Sequence, residues 1–185
     1  MNKKEENKIK NWEHLNSHEL FKHSRITLIE DDVKLPNGQI ISYLRFANTG
    51  NAITILCIKE EKILIQKEYS YPVNEVLYQF PGGKVEKGET SSQAAKRELM
   101  EESGYKSTKL EQIGWYYINN RRTDAKMFIV LTQNPESGHK TQGDLEEDIR
   151  SEWIPFSTLE KMILNGKIVN YSVLAAWSFF KAKKM

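Results

Sequence analysis

Between Gly83 and Tyr105 the chain reads GKVEKGETSSQAAKRELMEESGY, and this stretch constrains its fold more than any other. Pro81-Gly82-Gly83 ends an apolar run, and Gly88 marks a second turn. Thr90, with Gln93 three residues on, has the form of a capping box and predicts a helix starting near Ser91. Gly104 suits the left-handed position just past a helix, so that helix should stop at Ser103. Ala95 and Leu99, one turn apart, leave it a narrow face to bury.

The acidic residues of this helix need a reason. At 3.6 residues per turn, Glu98, Glu101 and Glu102 fall within about a third of its circumference. Like charges at i,i+3 and i,i+4 each cost roughly 0.2–0.5 kcal/mol. They also lie in the last turns, where the helix dipole is negative and favours Lys or Arg. A divalent cation removes both penalties, because hard oxygen ligands on one face are what Mg2+ or Mn2+ takes.

Gly83, Glu89, Arg97-Glu98-Leu99, Glu101-Glu102 and Gly104-Tyr105, at these spacings, resemble the Nudix box of the Nudix hydrolases without a gap. That resemblance implies an α/β fold: an α/β/α sandwich with a mixed central sheet, to which an N-terminal antiparallel β-sheet region is added. It further implies hydrolysis of a nucleoside diphosphate linked to another group, with Mg2+ (or Mn2+) as cofactor. A motif of this kind is tested by its context, strands before and after the helix.

At 185 residues the chain is long enough for one domain with a core. A formal net charge of +2 gives no overall field for nucleic acid or an anionic membrane. No run approaches the roughly 20 apolar residues of a membrane span. The charged N-terminus has no apolar core of a secretory signal. The lone cysteine, Cys57, lies in the apolar run Ile53–Ile58 and reads as a core thiol. With no second cysteine to pair with, it agrees with a reducing, cytoplasmic setting.

Taken in order, residues 1–20 read as a tail or short helix, 24–50 as N-terminal strands, and 52–185 as the catalytic core of a single domain. Pro36-Asn37-Gly38 is a hairpin signal between Arg25–Leu35 and Gln39–Phe46. Ala52–Ile58 is apolar enough for a strand buried on both sides. Strands also fit Ile63–Gln66, Val76–Phe80, Trp115–Ile118, Met127–Thr132 and Glu152–Ile154. Gln133–Asp148 reads as a long loop, of a length that is functional or disordered. Ser157 with Glu160 predicts a second capping box opening a helix over Leu159–Leu164. Asn170 should cap the last helix, whose Val173, Leu174, Trp177 and Phe180 make a core stripe.

From about Ile26 to the final helix, the layout resembles the ADP-ribose pyrophosphatase branch of that family. Glu147-Asp148-Ile149-Arg150 and Gly166-Lys167-Ile168 carry the likeness best. Three positions depart from the branch. Ser70 stands where an arginine is usual, Phe80-Pro81-Gly82-Gly83 replaces a Leu-Pro-Ala-Gly turn, and Asn119-Asn120 stand where a marker proline is expected. The substrate therefore stays open between ADP-ribose or a nucleotide sugar and a nucleoside triphosphate or dinucleoside polyphosphate. A nucleotide-sensing module without catalysis is a third reading.

By resemblance, the metal ligands are Glu98, Glu101, Glu102 and the Gly82 carbonyl. Arg97 holds a cluster carboxylate in place, Glu89 braces the loop, and Gly83 and Gly104 shape the box. Glu147 is the first choice of general base, with Glu98 and Glu146 behind it. Arg121, Arg122 and Tyr71 are candidate substrate contacts. The implied partners are a small-molecule nucleoside diphosphate and a second copy of the chain in a homodimer, with no nucleic acid and no membrane.

Overall fold

The Pro36-Asn37-Gly38 turn closes the predicted hairpin. Gly38 sits at φ 88°, and backbone hydrogen bonds from Gly38 to Leu35 and from Leu35 to Gln39 lock the turn. In the computed structural model, which describes residues 9–47, 49–138 and 149–184, this hairpin belongs to one of two compact units. That unit is a three-stranded antiparallel sheet of β1 (Glu13–Lys22), β2 (Thr27–Lys34) and β3 (Ile40–Ala47), joined by the segment Ile118–Ala125.

The strand β1 corrects the expectation of a tail or short helix over residues 1–20; residues 1–8 lie outside the described residues. Every residue of β1 is exposed, so it has no buried face to announce it. Two register shifts, at His14/Asn16 and Glu19/Phe21, also break the period-two pattern. What holds β1 is backbone pairing to β2 and cross-strand polar contacts: Lys34 to Glu13, His18 to Asp32, and the Ser17 hydroxyl to Asp31.

The second unit shows why its strands are apolar on both sides. β4 (Ala52–Lys59) turns Ile53, Ile55 and Cys57 to one face and Leu56 and Ile58 to the other. β5 (Lys62–Ser70) divides likewise, with Leu64 on the first face and Ile63 and Ile65 on the second. Onto the first face packs α1 (Ser91–Ser103) through Ala94, Ala95 and Leu99. Onto the second pack α2 (Phe156–Leu164) and α3 (Tyr171–Lys184), through Leu159, Val173, Ala176, Trp177 and Phe180. Helices on both faces of one sheet make the expected α/β/α sandwich.

The sheet is mixed. β4 runs parallel to β9 (Lys126–Gln133), which pairs antiparallel with β8 (Glu111–Tyr117). β4 and β5 pair only at their hairpin ends, Ile58 with Ile63 and Lys59 with Lys62. Beyond that, β5 pairs with β6 (Glu75–Gln79) on one side and β11 (Arg150–Pro155) on the other. A short ribbon of β7 (Tyr105–Lys106) and β10 (Glu136–Ser137) follows α1. β10 begins the segment read from sequence as a loop, and Glu146 and Glu147 lie outside the described residues.

Both ends of α1 are as predicted. Thr90 accepts the Gln93 N–H and donates its own to the Gln93 side chain, and Gly104 closes the helix at φ 72°. α2 differs. It opens at Phe156 behind Pro155, whose side chain has no acceptor to cap with, and the Phe156 N–H is taken instead by the Glu61 carbonyl at 2.9 Å. The Phe156 ring stacks edge-on with Trp177 and Phe180, which draws the first turn into the core. Asn170 caps α3 as predicted, accepting from the Ser172 N–H at 3.0 Å.

Candidate active site

The divergence of β4 from β5 leaves part of one edge of β4 open, and Pro81–Val85 fills it. Ile55 and Ile53 donate to the carbonyls of Pro81 and Gly83, and Val85 donates to Asn51. The segment comes so close that a Cβ on Gly82 would overlap the Ile53 carbonyl oxygen. With its neighbours paired to β4, the Gly82 N–H turns away from the strand and donates to the Glu102 carboxylate at 3.0 Å. Glu102 is 6% exposed, in the otherwise apolar contact between α1 and the sheet. Its charge therefore anchors the last turn of α1 to the glycine turn.

One guanidinium organises the rest. Arg97 Nε and Nη2 donate to both oxygens of Glu89 at 3.0 Å, a bidentate pair. Its Nη1 donates to Glu98 at 2.8 Å and Glu101 at 3.2 Å, and Nη2 donates also to the Lys84 carbonyl at 2.9 Å. All of the guanidinium's donors are thus engaged. Glu89 in turn accepts the Glu86 N–H at 3.0 Å, which ties Gly88's turn to the helix. Gly83 leaves room for this arrangement, since a Cβ there would overlap the Glu98 carboxylate.

The electrostatics follow from these contacts. Arg97 holds the Glu89 carboxyl below its ordinary range. Glu98 goes the other way: burial raises its pKa, Arg97 opposes that, and the neighbouring Glu101 and Glu89 charges reinforce it. The carboxylates, assembled around a single fixed cation, keep their mutual repulsion within bounds. No three acidic, histidine or cysteine side chains among the described residues stand as a finished metal cage. Glu98 and Glu101 face Arg97, and Glu102 faces Gly82.

The other candidates lie in other surroundings. Tyr71 is 84% exposed in the turn between β5 and β6. Arg122 donates to the Leu44 carbonyl at 3.0 Å and lies over the Tyr43 ring, within the three-stranded unit. The Arg121 carbonyl accepts from Tyr43 Oη at 2.6 Å. Cys57 is buried under α1, and burial pushes its thiol up to about 12, so it is a core thiol. Sequence reasoning missed the Gly82–Glu102 hydrogen bond and the Lys84 carbonyl on Arg97. Both are backbone groups, and no side-chain pattern marks them.

Residues 48–176 match the NUDIX domain. The chain is 32% identical over 131 residues to an ADP-ribose pyrophosphatase of Bacillus subtilis, covering 70% of each protein. It is 34% identical over 97 residues to a methanol dehydrogenase activator of Bacillus methanolicus, covering 52% of each. A solved structure of an ADP compounds hydrolase superposes with a TM-score of 0.86 at 21% identity, over 95% of both chains. The chain belongs to the Nudix family. Within it, the chain is a pyrophosphohydrolase of the ADP-ribose pyrophosphatase-like branch. Among the described residues, no helix is long and apolar enough to cross a membrane.

Proposed function

We propose that the protein hydrolyses the diphosphate bond of ADP-ribose or a related nucleotide sugar, giving a nucleoside monophosphate and a phosphorylated sugar. The observation that carries this reading is the Arg97 clamp on Glu89, Glu98 and Glu101, set against a glycine turn gripped by Glu102. The relative named ADP-ribose pyrophosphatase, at 32% identity, supports the choice of substrate class.

The donor set fits Mg2+ or Mn2+ in kind: Glu98, Glu101, Glu102 and the Gly82 carbonyl are hard oxygens on one helix and the turn it holds. When bound, such a cation neutralises charge on the diphosphate and acidifies an attacking water. The chain's own part is positioning. Arg97 holds the Glu98 and Glu101 carboxylates in place, and burial raises the Glu98 carboxyl above its ordinary range against the opposing pull of Arg97. Glu147 is proposed as general base on the resemblance alone, and Glu147→Gln should then lower kcat more than it raises KM. An unchanged rate would return that role to α1. Arg121 and Arg122 are proposed substrate contacts for the positive charge they could set near a phosphate, and Tyr71 for an aromatic ring that could stack on a base.

The test is a product assay with ADP-ribose, nucleotide sugars, nucleoside triphosphates and dinucleoside polyphosphates, each with Mg2+ and with chelator. We expect AMP and a sugar phosphate from ADP-ribose, and none with chelator. Preferential cleavage of a triphosphate would contradict the substrate, and cleavage under chelation would contradict the cation.

The protein is further proposed to be a homodimer. Leu15, Leu20, Phe21, Ile40 and Leu44 of the three-stranded sheet, and Trp12 just before it, are all exposed, more apolar surface than a solitary sheet of this size needs. Light scattering should give twice the chain mass, and Phe21→Glu with Ile40→Glu should give the monomer. A monomeric wild-type chain would overturn the proposal.

A further inference from the structure

The solvent-side stripe of α1 walls a cavity of about 880 Å3 that plays no part in the reading above. Gln93, Lys96, Arg97 and Met100 form one wall, at the i, i+3, i+4 and i+7 positions of a single helical stripe. Lys106 at the end of β7 and the turn that follows it to Lys109 form a second, and Gln133 at the end of β9, Asn134 and Glu136 of β10 form a third. This stripe lies opposite the one that α1 buries with Ala94, Ala95, Leu99 and Glu102. The cavity therefore opens on the side of α1 away from Glu102, while Arg97, which donates to Glu98 and Glu101, borders both the cavity and those two carboxylates.

The charge of the cavity is one-sided. Lys96, Lys106 and Lys109 line it, and among the described residues none of their ammonium groups has a carboxylate partner. Glu136 is the lone acid on its walls. Arg97 does not supply the positive field here, because its donors are all taken by Glu89, Glu98, Glu101 and the Lys84 carbonyl. The Lys106 stem and the Lys109 backbone are fixed by their neighbours. The Lys106 stem lies where a Cβ on Gly138 would meet it at 3.0 Å, and the Gly138 N–H is bonded to the Gly104 carbonyl at 2.6 Å. The Lys109 N–H donates to the Ser107 hydroxyl at 3.1 Å, which itself accepts from Thr132 Oγ1 at 2.6 Å. Around these cations stand neutral amides, Gln93, Gln133 and Asn134, suited to hydroxyls or a base edge. The Met100 side chain supplies apolar floor.

From this we infer that the cavity binds a phosphomonoester of nucleotide size, a nucleoside monophosphate above all, at a site separate from the acidic face of α1. The volume falls in the range of small-molecule pockets and is far larger than an inorganic phosphate requires. Ammonium groups on a phosphate give the affinity, and the amides and Met100 give the preference for an organic substituent. The inference is independent of the proposed reaction, since it uses none of Glu98, Glu101 or Glu102. Occupancy would press on the side of Arg97 that orders those carboxylates, so the ligand should slow turnover without competing with substrate.

Isothermal titration of the full chain, without divalent cation, would use AMP, ribose 5-phosphate, inorganic phosphate and adenosine. AMP should bind, inorganic phosphate more weakly, and adenosine not at all. Lys106→Met and Lys109→Met keep the aliphatic stems and remove the charge. Each should weaken AMP by about tenfold, as expected for a charge-assisted hydrogen bond to phosphate. Glu102→Gln should leave AMP affinity unchanged. Should one lysine variant fail to fold, Lys96→Met tests the same field from α1. Absence of AMP binding, equal binding of adenosine, or AMP binding that survives the lysine changes would overturn the site, and a loss of AMP binding in Glu102→Gln would place it on the acidic face of α1.

Discussion

Arg97 and the two glycines before it make the sharpest single-residue claims. Lysine cannot reproduce the guanidinium fork, so Arg97→Lys leaves Glu89, Glu98 and Glu101 short of donors and facing one another. We expect a loss of roughly 1–3 kcal/mol of stability, read by urea unfolding, together with a drop in kcat of at least about tenfold. Gly82 and Gly83 should separate. Alanine at 82 meets β4 backbone and should cost stability, about 1–3 kcal/mol. Alanine at 83 meets first the Glu98 carboxylate, a side-chain end that can shift at the expense of its bond to Arg97, and should reduce kcat with a smaller change in melting temperature than alanine at 82. Equal effects of the two changes would contradict this division. Helical spacing placed Glu98, Glu101 and Glu102 close together, and the family resemblance pointed to Arg97 and Glu89 beside them. The backbone half of the site was not legible, because the Gly82 N–H and Lys84 carbonyl gain their roles only when Pro81–Val85 lies along β4.

Among the elements, those whose ends are set by neighbours in sequence were readable and those set by distant partners were not. α1 carries its own start and stop. Thr90→Ala should therefore cost about 1 kcal/mol through the lost cap, and Gly104→Ala about 1 kcal/mol through its left-handed φ of 72°. Both are measured by chemical denaturation, and a cost near zero would show that packing alone fixes the helix. α2 is the contrary case. Its local box at Ser157 and Glu160 went unused because the Glu61 carbonyl and the Trp177–Phe180 pair, remote in sequence, set the first turn at Phe156. β1 was hidden for a related reason, being held by pairing to β2 and not by any burial of its own.

On the scale of the whole molecule, the two units should answer acid differently from a neutral protein of the same size. Asp31, buried in the three-stranded sheet, is held below its ordinary 3.8 by Arg45 first and by Ser17, against the opposing effect of burial. A carboxyl depressed in the folded state gives stability that is present above the unfolded value and lost as pH falls through the folded one. Glu89 acts in the same direction in the other unit. Stability should therefore fall on acidification below about pH 3.8, and Asp31→Asn should flatten that part of the profile. An unchanged slope in the variant would place the acid sensitivity elsewhere.

The acidic face of α1 is the point on which chemistry and fold meet, and the proposed hard cation can be sought there directly. Crystals soaked in Mn2+ with a slowly cleaved ADP-ribose analogue should show an anomalous peak among Glu98, Glu101 and Glu102, lost in Glu102→Gln. The same carboxylates still turned to Arg97 and Gly82, with no peak between them, would contradict the account.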